Sequence, residues 1–355
     1  MHGKDSIHGR GAETNPPNRF EPFRYERDDE TWPDDEAPSP RTEFLIDSSR
    51  SVISYNDSPD VGFSAGVNPY RGCEHGCAYC YARPYHEYLG FSAGLDFETK
   101  ILIKLDAPEL LRKELLSPKW QPQVIGMSGV TDCYQPIERR LQLTRRCLEV
   151  LAEFRNPVAI VTKNRLVTRD TDLLAELAEV RAAAVFISLT TLEEDLRRVL
   201  EPRTSSVQAR LEAIRSLREA KVPVGVMIAP VIPALNDHEI PRLLEAAVAA
   251  GAQFCGWTML RLPYGVADLF SAWLERHFPE RKEKVLSRIR EIRGGRLNDS
   301  RFGSRMRGQG VIAETIRRLF HLHRDRLGLP SGMPSLSTAS FRRPMPAQPT
   351  LFPLA

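Results

Sequence analysis

Cys73, Cys77 and Cys80 stand within eight residues of one another in RGCEHGCAYCYARP, spaced C-x3-C-x2-C. Three thiols this close converge on one metal centre only from a loop, and Gly72 and Gly76 give that loop the backbone freedom to wrap. Soft thiolates select zinc, copper(I) or iron–sulfur clusters. A structural zinc site takes four ligands, usually as two separated pairs, and no second C-x2-C occurs. Cys133, Cys147 and Cys255 are isolated. A four-iron cluster held by three thiolates keeps one iron open for a substrate or cofactor. The alternatives are a zinc site that recruits His75 or His86, and three unrelated buried thiols.

The elements that position this loop alternate in type. Short Val- and Ile-rich runs predict strands at Gly66–Arg71, Val124–Ser128, Val158–Thr162, Val185–Leu189, Val224–Ala229 and Phe254–Leu260. Between them, apolar stripes and stop signals predict helices over 108–116, 137–154, 171–180, 206–220 and 237–250. Repeated βα units allow either a doubly wound parallel sheet or a partial (β/α) barrel.

The chain has 355 residues, enough for about two domains or one large α/β domain with tails. Its longest strongly apolar stretch, Val222 to Ile232, is broken by Pro223, Gly225 and Pro230 and is too short for a bilayer. Six cysteines are too few for a disulfide scaffold, and MHGKDSIHGRG has no apolar signal region. A reducing cytoplasm is the expected compartment.

Charge is uneven. Residues 1–40 hold ten acids against five bases, with six prolines and no apolar period. That segment is expected to be disordered or draped, because it cannot bury enough surface to offset its ordering entropy. The Pro-rich tail 331–355 is expected to be disordered too. The folded unit then runs from 41 to 265, with a basic helical extension over 266–328. Residues 281–326 hold fourteen Lys/Arg and five Asp/Glu. This block suits a polyanion such as nucleic acid, or is a solvated helical surface.

The cysteine spacing, with Tyr79 just before the last thiol, resembles the signature loop of radical S-adenosylmethionine (radical SAM) enzymes. NPYRGCEHGCAYCYARP further resembles the spore photoproduct lyase-like branch. The resemblance covers roughly residues 65–265. It implies a partial (β/α)6 TIM-like barrel, a [4Fe-4S] cluster on Cys73, Cys77 and Cys80, and S-adenosylmethionine (SAM) on the open iron. It also implies a one-electron donor of flavodoxin or ferredoxin type, and reductive cleavage of SAM to methionine and a 5′-deoxyadenosyl radical. A hydroxyl–Asp pair, Thr131 and Asp132, takes the place of the GGE-type motif of other relatives, with Asp132 accepting from the SAM ammonium. Lys163 is matched to the SAM carboxylate, Ser188 to the carboxylate or ribose, Tyr79 to the adenine side, and Arg203 to ribose or carboxylate. Spore photoproduct lyase returns a hydrogen atom from a cysteine near this strand end. Cys133 is the candidate here, though it follows the hydroxyl–Asp pair instead of preceding it; the other reading is a buried free thiol.

Two substrate classes stand open: nucleic acid, for repair or modification, and a protein or small molecule. A non-enzymatic zinc scaffold is the contrasting class. Near the C-terminus, Gln348-Pro349-Thr350-Leu351-Phe352 resembles the peptide that bacterial replication and repair proteins insert into the sliding clamp.

Overall fold

A computed structural model describes residues 7, 9–20, 41–127 and 129–344. Ten strands form in chain order: β1 (Glu43–Ile46), β2 (Ile53–Tyr55), β3 (Ala65–Val67), β4 (Tyr70–Arg71), β5 (Lys100–Ile103), β6 (Ile125–Met127), β7 (Val158–Thr162), β8 (Ala183–Ser188), β9 (Val224–Val231) and β10 (Cys255–Met259). Seven make one sheet in the order β10-β9-β8-β7-β6-β3-β2. From β3 to β10 every pairing is parallel, and β2 adds antiparallel to β3. Six parallel strands in sequential order, linked by helices, are the arrangement of a partial (β/α)6 barrel. Strands buried on both faces need apolar side chains throughout, and all six residues of β8 are buried.

The crossover helices are Ala107–Leu116, Leu143–Phe154, Thr171–Glu179, Val207–Glu219 and Ile240–Ala249. In the second, Leu143, Cys147, Leu148, Leu151 and Phe154 make the buried stripe, and Arg155 ends it in the left-handed region at φ 51°. The helix expected over 137–154 is in fact two. A single turn, Glu138–Leu141, is separated from it by Gln142 at φ 52°. The cause is Glu138, whose buried carboxylate accepts from Tyr70, from Thr144 N at 3.0 Å and from Arg169 at 2.7 Å. The chain must turn at Gln142 to present the Thr144 amide to it.

A second break positions the cysteines. The single strand expected over Gly66–Arg71 divides into β3 and β4 at Asn68-Pro69, and β4 joins a separate sheet in the order β1-β5-β4. Pro69 has no N–H for the ladder, so the main sheet releases the chain there. Pro69 O instead accepts from Lys104 N at 3.0 Å, and Asn68 Oδ1 accepts from Gly129 N and Val130 N at 3.0 and 3.1 Å. The cysteine loop follows directly.

Residues 9–20 take the draped alternative, and the disorder expected of the tail is corrected for residues 331–344. Residues 9–20 drape over the cysteine loop, with Arg10, Ala12 and Asn18 buried. Glu98 accepts from Gly11 N at 3.0 Å and Ala12 N at 2.8 Å, which supplies the binding that composition does not show. At the other end Gly332 N donates to Cys255 O at 2.8 Å and Arg342 N to Phe154 O at 2.9 Å. Phe341 packs on Phe154. The tail therefore runs along the sheet edge and helix ends. The clamp-like segment Gln348–Phe352 lies outside the described residues. The extension forms helices Val266–His277, Pro279–Ile292 and Gly310–Arg326. Among the described residues no helix is long and apolar enough to cross a membrane.

Candidate active site

The loop from Gly72 to Ala82 is held from every side. Cys73 N donates to Phe97 O at 2.8 Å and Ala78 N to Leu200 O at 3.0 Å. Gln135, fully buried, donates to Gly72 O at 3.1 Å and accepts from Glu74 N at 3.0 Å. Gly72 and Gly76 sit at φ 79° and 67°. A Cβ on Gly76 would lie 2.8 Å from Glu98 Oε2, so the position requires glycine for both conformation and space. Beneath the loop, Arg83 donates to Cys77 O at 2.9 Å and to Gly94 O at 2.9 Å, and pairs with Glu98 where neither side chain is exposed.

Cys73 and Cys77 are buried and Cys80 is half-buried. Burial pushes all three thiols up, and for Cys73 the nearby Asp132, Cys80 and Cys77 push in the same direction. The thiols therefore share one region, where three thiolates need a cationic group to stand together. Among the described residues no three His, Cys, Asp or Glu side chains converge on a single ion. A cluster that gives each thiolate its own iron fits such a donor set. Neither histidine that would complete a zinc set is free. His86 Nε2 meets Lys100 O at 3.0 Å, and burial holds its pKa down at about 4. His75 Nδ1 lies 3.4 Å from Asp132, and its Nε2 3.3 Å from Asn164 Nδ2.

Asp132 stands after β6, facing the loop. Its Oδ1 accepts from Tyr134 N at 2.9 Å and Thr162 Oγ1 at 2.7 Å, and its Oδ2 from Lys163 N at 2.8 Å. Burial acts to raise its pKa, but His75 and these donors outweigh it and hold the carboxyl at about 2. With His75, the four acceptor directions of the carboxylate are taken. Asp132 thus ties β6, β7 and the cysteine loop together, with His75 its longest contact at 3.4 Å. Thr131 Oγ1 donates to Tyr70 O at 3.3 Å.

Lys163, at the end of β7, carries its ammonium 5.8 Å from the Tyr79 ring centroid and makes no ion pair among the described residues. It acts to lower the pKa of Cys77 and Cys80, so it faces the thiols. The Tyr79 hydroxyl donates to Glu201. Glu201 is in turn paired with Arg210, both side chains essentially unexposed, and Arg210 Nη1 donates to Ser188 O at 3.1 Å. Burial opposes ionisation of Glu201, but Arg210 and Lys163 hold its pKa at about 2. The site thus gathers the three cysteines, Tyr79, Asp132 and Lys163, with Ser188 joined to them through Arg210 and Glu201.

Arg203 joins the cysteine loop to the draped segment: its N donates to His75 O at 3.2 Å, its Nε to Gly9 O at 3.0 Å, and Glu74 lies at 3.6 Å. Cys133 is 0% exposed within the apolar core cluster that also holds Tyr134 and Cys147, the surroundings of a buried thiol. Thr144 Oγ1 donates to its carbonyl at 2.6 Å, which fixes this turn with the side chain inside. His75 was singled out only as a zinc ligand, and Gln135, Glu201 and Arg210 not at all, although Gln135 stands two positions after Cys133 and Glu201 two before Arg203.

The Radical SAM superfamily profile matches residues 67–247. Uncharacterized proteins of Mycobacterium tuberculosis and Mycobacterium bovis are 39% identical over 232 residues, 65% of this chain and 67% of theirs. A protein of Pseudomonas phage M6 named radical SAM Nα-GlyT isomerase is 25% identical over 284 residues, 79% of this chain and 54% of its own. Among solved structures, a spore photoproduct lyase superposes with a TM-score of 0.55 at 15% identity, covering 81% of this chain and 80% of that one. At that identity the likeness shows the fold alone.

Proposed function

Because the chain belongs to the radical SAM superfamily, we propose that it holds a [4Fe-4S] cluster on Cys73, Cys77 and Cys80, binds SAM beside Lys163 and Asp132, and acts on a nucleic-acid substrate. When bound, the cluster supplies one electron to the SAM sulfonium, and the C–S bond breaks to methionine and a 5′-deoxyadenosyl radical. That electron comes from a one-electron donor of flavodoxin or ferredoxin type. The observation that carries the reading is the Lys163 ammonium, which makes no ion pair among the described residues and faces the thiols of Cys77 and Cys80.

The chain's own residues bind and orient. Lys163 is the cation for the SAM carboxylate, and Ser188 lies one strand further along the mouth. Asp132 accepts from the SAM ammonium as His75 withdraws, and keeps the ends of β6 and β7 in register while doing so. Thr131 fixes the same turn to β4. Tyr79, its hydroxyl engaged by Glu201, offers a ring face to the adenine. Arg203 in this reading secures the draped segment and leaves SAM to the others. Replacing Lys163 by Ala removes one charged hydrogen-bond partner, worth about 1.5–3 kcal/mol. SAM binding by calorimetry is expected to weaken roughly tenfold to a hundredfold while the iron content stays constant. Equal affinity rejects the assignment.

The nucleic-acid part rests on the basic extension. Of its fourteen cations, Lys282, Arg288, Arg301, Arg305, Arg317, Arg318 and Arg324 are neutralised by carboxylates, and Arg293 is buried. Arg281, Lys284, Arg290, Arg296, Arg307 and Arg326 make no ion pair among the described residues. If about four of them meet phosphates, the log–log salt slope on duplex DNA is about −3.6. A flat salt dependence of binding, measured by anisotropy, or no binding at low salt, removes nucleic acid and leaves a protein or small-molecule substrate.

A further inference from the structure

Just past β10, on the side of the sheet where the cysteine loop lies, the chain holds a cation with too little charge opposite it. Arg261 places its guanidinium carbon 5.2 Å from the ring centroid of Tyr81, the residue after the third cysteine. Among the described residues its one polar contact is Nη1 to the Met306 sulfur at 3.8 Å, and its Nε is buried without a hydrogen-bond partner. Two further guanidiniums crowd the same place. Arg305 bridges Asp60 and Ser58. Arg293, 3% exposed, donates to Leu260 O and to Ser304 O, and its Nε also has no partner. Asp60 is the carboxylate shared by Arg261 and Arg305; Asp299, nearest Arg293, is bound by Arg301.

Burial lowers the pKa of Arg261, and Arg305 adds to it; burial and then Arg261 do the same to Arg293, against the pull of Asp299. Buried cations persist when they are paired, and here Asp60 serves both Arg261 and Arg305 while Asp299 is shared by Arg293 and Arg301, so four guanidiniums over two carboxylates are arranged for an anion. Guanidinium forks match phosphate in geometry as well as charge. Aromatic faces stand exposed beside them: Tyr81 is 43% exposed, Tyr85 54% and Phe302 56%, with Arg305 lying 4.4 Å from the Phe302 ring. A cationic pocket rimmed by open rings suits a phosphate whose attached base stacks nearby.

We propose that Arg261 and Arg305, with Tyr81 and Phe302, form a subsite for a phosphate group of the substrate, next to the cysteine loop. The proposal rests on the radical SAM reading for its place in catalysis, and it names what the substrate must carry. A phosphate seated here would hold the attached nucleoside beside the cysteine loop. The same phosphate can belong to a nucleic-acid strand or to a small nucleotide.

The test uses inorganic pyrophosphate as the probe, on the reconstituted holoprotein under anaerobic conditions at matched ionic strength. Pyrophosphate is expected to raise the melting temperature of the wild type. Arg261→Met should melt no lower than the wild type, because Asp60 keeps its ion pair with Arg305, and should not respond to pyrophosphate. A labelled single-stranded oligonucleotide should bind the variant about tenfold more weakly, with the salt slope reduced by about one. Iron content and SAM affinity, measured on the same samples, should match the wild type; their loss in both proteins would count against the earlier reading instead. A wild type that ignores pyrophosphate overturns the subsite, as does a variant that responds equally. A variant that loses SAM affinity but keeps its pyrophosphate response also overturns it, by giving the cation to the cofactor. A pyrophosphate response without oligonucleotide binding upholds the subsite and assigns it to a small phosphorylated substrate.

Discussion

Replacing Cys73, Cys77 and Cys80 together by alanine is expected to leave a folded protein that retains no cluster iron after anaerobic reconstitution. In the proposed function the three thiolates are the protein's covalent bonds to the cluster, so the loss is expected to be complete. Each single replacement should remove most of the iron, since two thiolates hold the cluster poorly against solvent. The fold should survive because the loop does not depend on sulfur for its shape. Gln135 grips the backbone on either side of Cys73, Arg83 grips the Cys77 carbonyl, and Leu200 receives the Ala78 amide. The matching controls are Cys133→Ala, Cys147→Ala and Cys255→Ala. These thiols are buried in the core and along the edge of β10, away from the loop, and their variants should load iron normally. Iron and sulfide per chain, with visible absorbance, read the result. Undiminished iron in the triple variant would overturn the assignment.

What could be read from sequence was what is encoded locally. The cysteine loop is such a case, because ligand spacing is a property of eight neighbouring residues. So are β7, found at Val158–Thr162, and the core of β9, because contiguous β-branched runs carry their own signal. The misreadings have long-range causes. β1 and β5 are short edge pairings whose partners lie more than fifty residues apart, and nothing in EFLI or KILI announces the other. The division of Gly66–Arg71 was marked by Pro69, but only the second sheet shows where the chain goes next. The site divides in the same way. Lys163 and Asp132 were marked by the family resemblance, not by their local sequence. The donors from β7 and the cysteine loop that saturate Asp132, and the contact of Arg203 with Gly9, far away in sequence, come only from the fold.

Breaking the Arg83–Glu98 pair should be the most destabilising single change in the frame of the site. Both side chains are 0% exposed, and each does more than neutralise the other. Arg83 binds the carbonyls of Cys77, Ala93 and Gly94, so it fastens the cysteine loop to the turn before helix Asp96–Thr99. Glu98 accepts the amides of Gly11 and Ala12, so it fastens the draped segment over both. Glu98→Ala leaves a guanidinium buried without its counter-charge and two amides without acceptors. Removing one partner of a buried pair typically costs about 3–5 kcal/mol, a large share of the roughly 5–15 kcal/mol that holds a domain folded. The loss should also be local before it is global. Residues 9–20 lose their anchor first, so trypsin should cut at Arg10 and Arg19 in the variant under conditions where the wild type resists. The double replacement Arg83→Met with Glu98→Leu removes both charges and should recover part of the stability, because no buried charge is then unpaired. It cannot restore the two amide acceptors, so the trypsin sensitivity should persist. Urea denaturation of the three proteins separates the terms. A Glu98→Ala variant as stable as the wild type, or a double variant no better than the single one, would show that the pair does not carry this load.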